Sequence, residues 1–247
     1  MTGGEKTLLW LGGAAGLVAA LWLPLFVVLF FGLLVALGLD PARFGEPDHV
    51  LPFFGAHPAL IRLLGLVNVV GILSSGFFAF VLARRIAPLA PGAAVPGGFL
   101  TVAAWLLVLI AETLDLAAYV GLPALHARDP STATLAFVTL QVAGRMTRSW
   151  GYLLAGVGIG MLGWGMLRQP EWVRGLAVLG IFGAGVGAVM FVLEYVFVTR
   201  TGDAGGGMAQ AFEAMFVIVA LILTVWHGWG GARLLKLAAS PPAVERD

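Results

Sequence analysis

The stretch TLLWLGGAAGLVAALWLPLFVVLFFGLLVALGL (residues 7–39) contains no charged side chain. An α-helix crosses the hydrocarbon core of a bilayer with about 20 apolar residues, and this run exceeds that length. A cleaved signal peptide has an apolar region of about 7–15 residues. The run is roughly twice as long, so it reads as a retained first span. Pro24 marks a kink, and the surplus length allows a tilt.

The rest of the chain follows the same pattern. Of 247 residues, 60% are hydrophobic and 11% charged, and mean hydropathy is +0.98. A soluble domain carries about 25% charged residues, so this chain cannot cover its surface with polar groups, and its solvent is lipid. Five further apolar stretches lie at about 59–83, 98–122, 148–167, 173–199 and 208–236. The expected fold is all-α: one domain, 1–247, of six transmembrane helices. The Ala, Gly, Leu and Pro bias points to a bacterial inner membrane. The formal net charge of +1 has no basic block behind it, which excludes nucleic acid as a partner. Cysteine is absent, which excludes disulfides, iron–sulfur clusters, thiolate zinc sites and covalently attached haem.

Lysine and arginine set the orientation. With a cytoplasmic N-terminus, that side holds Lys6, Arg84, Arg85, Arg168, Arg174, Arg233, Lys236 and Arg246. The other side holds Arg43, Arg62, Arg128, Arg145, Arg148 and Arg200. The bias puts both termini inside. The outer connection 40–58 reads as a long loop whose Phe44, Phe53 and Phe54 lie at the lipid interface. Residues 84–98 read as a Pro- and Gly-rich loop, and a helix is expected to begin before the fourth span, near Ala133.

The third span carries LIAETLDLAAY (residues 109–119). Thr101, Trp105, Val108, Glu112, Asp115 and Tyr119 form one stripe on a helix. Glu112 lies roughly 20 Å from the cytoplasmic start of that span, in the outer half. Glu194 in span five and Glu213 in span six stand at similar depth, with Arg145 and Arg148 at the mouth of span four. Each lone intramembrane charge costs about 2.5–3.5 kcal/mol or more, and pairing reduces the cost. Arg pairs well with carboxylates because its planar fork matches theirs. These residues therefore predict one buried polar cluster: Glu112, Asp115, Tyr119, Arg145, Arg148, Glu194 and Glu213. Such a cluster either fixes helix register or serves as a ligand or proton site.

Metal chemistry has weak support. A di-metal helical bundle pairs Glu with a His three residues on, whereas Glu112 is followed by Asp115. Glu112, Asp115, Glu194 and Glu213 are the carboxylates a metal would use. The histidines are scattered, with His49, His57 and His126 in outer loops and His227 near the inner end of span six. No pair is matched in depth for a haem, and no cofactor is expected. Asn68, Ser74 and Ser75 in span two have no evident Ser–His or Ser–Lys partner. Trp172, Trp226 and Trp229 read as interfacial belt residues. Gly156 with Gly160, and Gly180, Gly183 and Gly187, read as close-packing faces.

The segment LRQPEWVRGLAVLGIFGAGVGAV (residues 167–189) resembles a bacterial family of six-helix membrane proteins of unknown function. In that family a short polar turn with Pro and an aromatic residue joins two spans. The resemblance implies architecture and no activity. The missing catalytic set and short soluble loops favour a non-catalytic protein that binds a small ligand or lipid, or a subunit of a larger membrane complex or homo-oligomer. A proton-coupled or small-solute transporter is the alternative. An intramembrane enzyme acting on a lipid or isoprenoid is a further one.

Overall fold

A computed structural model describes residues 2–40, 43–199 and 207–240; within these, the side chains at 30, 31, 193, 194, 196–199 and 207–216 are not described. The described chain is helical throughout. Helix α1 spans Gly3–Val27 and passes into a π-helical segment, Val28–Leu33, and a short α2, Leu34–Ala36. Then follow α3 (Pro47–Ala56), α4 (Pro58–Ile86), α5 (Pro91–Gly121), α6 (Pro123–His126), α7 (Pro130–Met166), α8 (Arg174–Thr199) and α9 (Gly207–Ala239).

The helix starts have local causes. Thr2 and Glu5 form a reciprocal capping box at α1, with the Thr2 backbone N–H donating to Glu5 at 2.8 Å. Helices α3, α4, α5, α6 and α7 each begin on proline. Proline suits the first helical position, since its φ is already helical and its missing N–H would have no partner there. This corrects the reading of 84–98 as a loop: only residues 87–90 separate α4 from α5, and Pro96 lies inside α5. The outer connection is corrected likewise. It folds into α3, which buries Val50, Leu51 and Phe54.

The long helices pack as a closed ring. Each of α1, α4, α5, α7, α8 and α9 contacts the next, and α9 returns to α1. Among described residues the seam between α8 and α9 is the least extensive. Among the described residues, five helices are long and apolar enough to cross a membrane: Gly3–Val27, Pro58–Ile86, Pro91–Gly121, Arg174–Val192 and Val217–Ala239. The chain is thus a multi-pass membrane protein by length and composition. Helix α7 is longer than any of these, but its glycines, tryptophans and two arginines dilute its apolar character.

Glycines set how closely the ring closes. Gly144, Gly151, Gly158 and Gly165 recur every seven residues along α7. Gly144, Gly151 and Gly158 face α5, and Gly165 faces Ile86 and the start of α5. A Cβ at Gly158 would meet the Gly97 carbonyl and the Thr101 nitrogen at 2.7 Å. On the other side of α7, Gly156 lies against Gly187, Gly160 against Ala184, and Gly163 against Ala177. Between α1 and α9, a Cβ at Gly16 would come 2.9 Å from the Gly231 Cα. Backbones approach this closely in lipid because packing contact, rather than hydrophobic burial, holds helices together there.

Aromatic residues fill the middle of the ring. Phe78 and Trp226 meet edge to face at 5.2 Å, and Trp22 meets Trp105 at 6.0 Å. Trp226 is fully buried and Trp172 nearly so, whereas Trp229 is exposed. Two of the three expected belt tryptophans are therefore core residues. Trp172 donates its indole N–H to Gln169, and Gln169 donates to the Ile86 carbonyl at 2.7 Å, pinning the α7–α8 turn to the end of α4.

Candidate functional site

The polar side chains of α5 do not stand alone. Glu112 and Asp115 lie one turn apart, and Arg148 of α7 bridges them. Its guanidinium sits 3.2 Å from Glu112 Oε1 and also contacts Asp115 Oδ2. Helix α4 adds Asn68, whose amide donates to Glu112 Oε2 at 2.6 Å. Helix α1 adds Trp22, whose indole N–H donates to Asn68 Oδ1 at 2.9 Å. One continuous chain, Trp22–Asn68–Glu112–Arg148–Asp115, thus ties four helices together.

The local sequence explains why these groups meet. Gly144 has no side chain, so α5 can press Asp115 against α7; a Cβ there would lie 2.9 Å from Asp115 Oδ1. Seven residues on, Gly151 makes the same room for Val108. Arg148 falls between these two glycines on the α5-facing side. The low dielectric of the site strengthens each of these bonds and raises the cost of any group left without one. Asp115 Oδ1 is such a group: it is buried and has no hydrogen-bond partner.

Other predicted site residues fall in different places. Tyr119 stands one turn further along α5 than Asp115, apart from the ion pairs. Its hydroxyl accepts from Gln141 at 3.0 Å. Its ring lies under Phe54 at 4.5 Å, with Phe44 and Phe137 near 6 Å. Phe44, Phe53 and Phe54, expected at the lipid interface, pack as an aromatic cap over the α3 end of the bundle. Arg145 is half-buried on α7, one turn before Arg148. Glu194 and Glu213 belong to α8 and α9, but their side chains lie outside the described residues, so their share in the cluster is not placed.

Sequence reasoning missed Asn68, which links the cluster to α1. Its position level with Glu112 depends on how α4 slides along α5, which no local pattern reveals. His49, His57 and His126 lie at the cap. His49 Nε2 accepts from the Asp40 backbone N–H at 3.0 Å, His57 lies against Phe53, and His126 comes 3.5 Å from Asp48. His227 is fully buried; its Nδ1–H donates to the Leu223 carbonyl at 2.7 Å, and its Nε2 has no partner. Trp105 and Trp226 also bury indole N–H groups without partners. Among the described residues, no group of three or more His, Asp or Glu side chains is placed to hold a metal ion.

An apolar cleft lies one helical turn from the cluster: Val108 and Tyr152 line it, one turn along α5 and α7 from Glu112 and Arg148 respectively. Compared with family models, curated proteins and solved structures, the chain matches none of them.

Proposed function

We propose that this chain is a six-span bacterial inner-membrane protein, both termini cytoplasmic, that binds a small amphiphile or lipid without transforming it. The sixth span is α7, whose Arg148 is neutralised within the bundle by Glu112 and Asp115. The observation that supports binding is the placement of a buried, partnerless carboxylate oxygen, Asp115 Oδ1, in an otherwise saturated ion-pair network. A buried acceptor without a partner costs about 1–3 kcal/mol. A polar group of a ligand that donates to it recovers that cost.

The test is the lipid and small-molecule content of the purified protein, read by native mass spectrometry. The wild type is expected to retain a species that Arg148→Gln loses while keeping its helix content and monodispersity. Retention of membrane lipids only in bulk proportion, unchanged by Arg148→Gln, argues against the reading. Proton-coupled transport is the second reading, supported by the same free oxygen as a proton-accepting position in the outer half. Unchanged proton flux in proteoliposomes bearing Glu112→Gln and Asp115→Asn removes it.

A further inference from the structure

Cations gather at one end of the bundle. The start of α1, the ends of α4 and α7, the start of α8 and the end of α9 meet there through Leu9, Ile86, Met166, Leu176 and Leu234. Lys6, Arg84, Arg85, Arg168, Arg174, Arg233 and Lys236 stand at that end, and among the described residues the carboxylates there are Glu5 and Glu171. Both carboxylates are engaged. Glu171 accepts from Arg85 at 2.6 Å, and Glu5 accepts from the Thr2 backbone N–H at 2.8 Å.

Arg233 stands apart from its neighbours. Arg84, Arg85 and Lys236 lie in the last turns of α4 and α9, where the helix dipole favours positive charge. Arg168 lies over the Trp164 ring at 5.9 Å, and Arg174 is exposed. Arg233 is half-buried, its Nε is enclosed without an acceptor, and it forms no salt bridge with a described residue. Arg85 has an Nε enclosed in the same way, but Glu171 neutralises it. A guanidinium taken partly out of water without an anion costs free energy that a bound anion recovers.

The surface leading to Arg233 says which anion. Leu221, Val225, Trp229 and Arg233 recur every four residues, a row that forms one slanting ridge on a helix. The first three are 61%, 49% and 40% exposed. The ridge is about 18 Å long, and one leaflet of the hydrocarbon core is about 15 Å deep. It therefore offers apolar contact through one leaflet and a guanidinium where that leaflet ends. Two further cations stand near. A Cβ on Gly175 would lie 3.0 Å from the Trp229 ring, which sets Arg174, the first residue of α8, beside this end of the ridge. Lys236 follows Arg233 by three residues on the same side of α9. A free phosphate has no use for the ridge, whereas a phospholipid uses both parts. Guanidinium grips phosphate oxygens through two parallel N–H bonds, and an excess of cations favours a headgroup of net negative charge.

We infer that Arg233, with Arg174 and Lys236 beside it, holds the headgroup phosphate of an anionic phospholipid whose acyl chain lies along the Leu221–Trp229 ridge. This site is independent of the Glu112–Arg148 cluster.

The experiment titrates delipidated full-length protein in a nonionic detergent with phosphatidylglycerol or with phosphatidylcholine of the same chains. Bound lipid is counted by native mass spectrometry. The wild type is expected to bind its first phosphatidylglycerol about tenfold more tightly than phosphatidylcholine, and Arg233→Gln to remove that preference. Arg84→Gln takes the same charge from the same end and is expected to keep it. Equal losses in these two variants mean diffuse attraction and overturn the site. So does a wild type without preference, or one that dimerises through α9 and excludes the lipid. Inorganic phosphate in tenfold excess is expected not to displace the lipid; displacement overturns the lipid assignment. Arg148→Gln is expected to keep the preference, and its loss there moves the lipid to the ion-pair cluster and overturns this site. If Arg233→Gln folds poorly, the double variant Arg174→Gln with Lys236→Gln alters exposed side chains only. It is expected to weaken phosphatidylglycerol binding at least about fivefold, and unchanged binding overturns the proposal.

Discussion

The indole of Trp22 occupies the space where a Cβ on Gly71 would stand. From that position it reaches Asn68 and opens the hydrogen-bonded path to Glu112. Gly71→Ala is therefore expected to push Trp22 away from α4 and break its bond to Asn68. Overpacking of this kind costs about 1–3 kcal/mol. Thermal unfolding in detergent followed by circular dichroism measures it; a melting temperature equal to wild type would show that the ring sits elsewhere.

Two glycines that look alike in sequence are expected to respond oppositely. Gly158→Ala drives a methyl group into the Gly97 carbonyl and the Thr101 nitrogen, backbone atoms that cannot turn aside. Gly183→Ala meets only a side chain at van der Waals distance. The first is expected to lose about 1–3 kcal/mol or more. The second is expected to gain up to about 1 kcal/mol, since alanine favours a helix over glycine. Side-by-side unfolding of the two variants decides it.

These contrasts bear on what the sequence displays. The apolar runs announce the long helices, and the i, i+3, i+7 spacing of Glu112, Asp115 and Tyr119 places them on one face. Arg148 was legible as their partner because charge in lipid demands one. The prolines misled: Pro47, Pro58 and Pro91 read as loop markers, yet each is the first residue of a helix. The same residue type serves both roles, and only the helix that follows distinguishes them. The heptad of Gly144, Gly151, Gly158 and Gly165 was present in the letters. Its meaning, that it seats Asp115 against α7, depends on which neighbour each glycine meets. Asn68 and the cleft required the packed bundle, because both arise from the offset of one helix against another.

Arg148 holds two carboxylates, so its removal leaves both without their cation. Arg148→Met is expected to cost about 3 kcal/mol, as breaking a buried pair does. Replacing Glu112, Asp115 and Arg148 together by apolar residues of similar size is expected to cost less than Arg148→Met alone. A multiple-mutant cycle by chemical unfolding in micelles tests this; strict additivity of the single changes would mean the three groups do not form one network.

His227 presents the reverse case. Its Nε2 has no partner, and its neighbours are Phe78, Trp105 and Trp226. His227→Leu removes the partnerless Nε2 together with the Nδ1–H bond to the Leu223 carbonyl and keeps an apolar filling, so the change is expected to stay within about 1 kcal/mol of neutral. A marked drop in melting temperature would reveal that Nε2 has a function in the folded protein.

At the start of α7, Asp129 accepts from the Thr132 hydroxyl at 2.6 Å, the Thr132 backbone N–H at 3.1 Å and the Ser131 hydroxyl at 2.8 Å. The Thr132 side-chain bond is the largest of the causes that lower its pKa from 3.8 to about 2. The folded value lies below the unfolded one, so the cap stabilises fully above the unfolded pKa. That contribution is lost as pH falls through about 2. The difference in melting temperature between wild type and Asp129→Ala is expected to be constant near neutrality and to shrink across this acid window. A difference independent of pH over the window contradicts the capping role.

The π-helical turn at Val28–Leu33 adds an angular offset to the first long helix. A π-turn holds more residues than the 3.6 of an α-turn, so it resets the direction in which everything after it points. Leu34 and Leu39, both buried beneath the aromatic cap, owe their inward aim to that reset. Were these six residues to run on as regular α, with none removed, the extra residue held by the wider turn would no longer be absorbed. Every following side chain would then swing by about 100°, and the cap would lose its hydrophobic footing with no change to its own sequence.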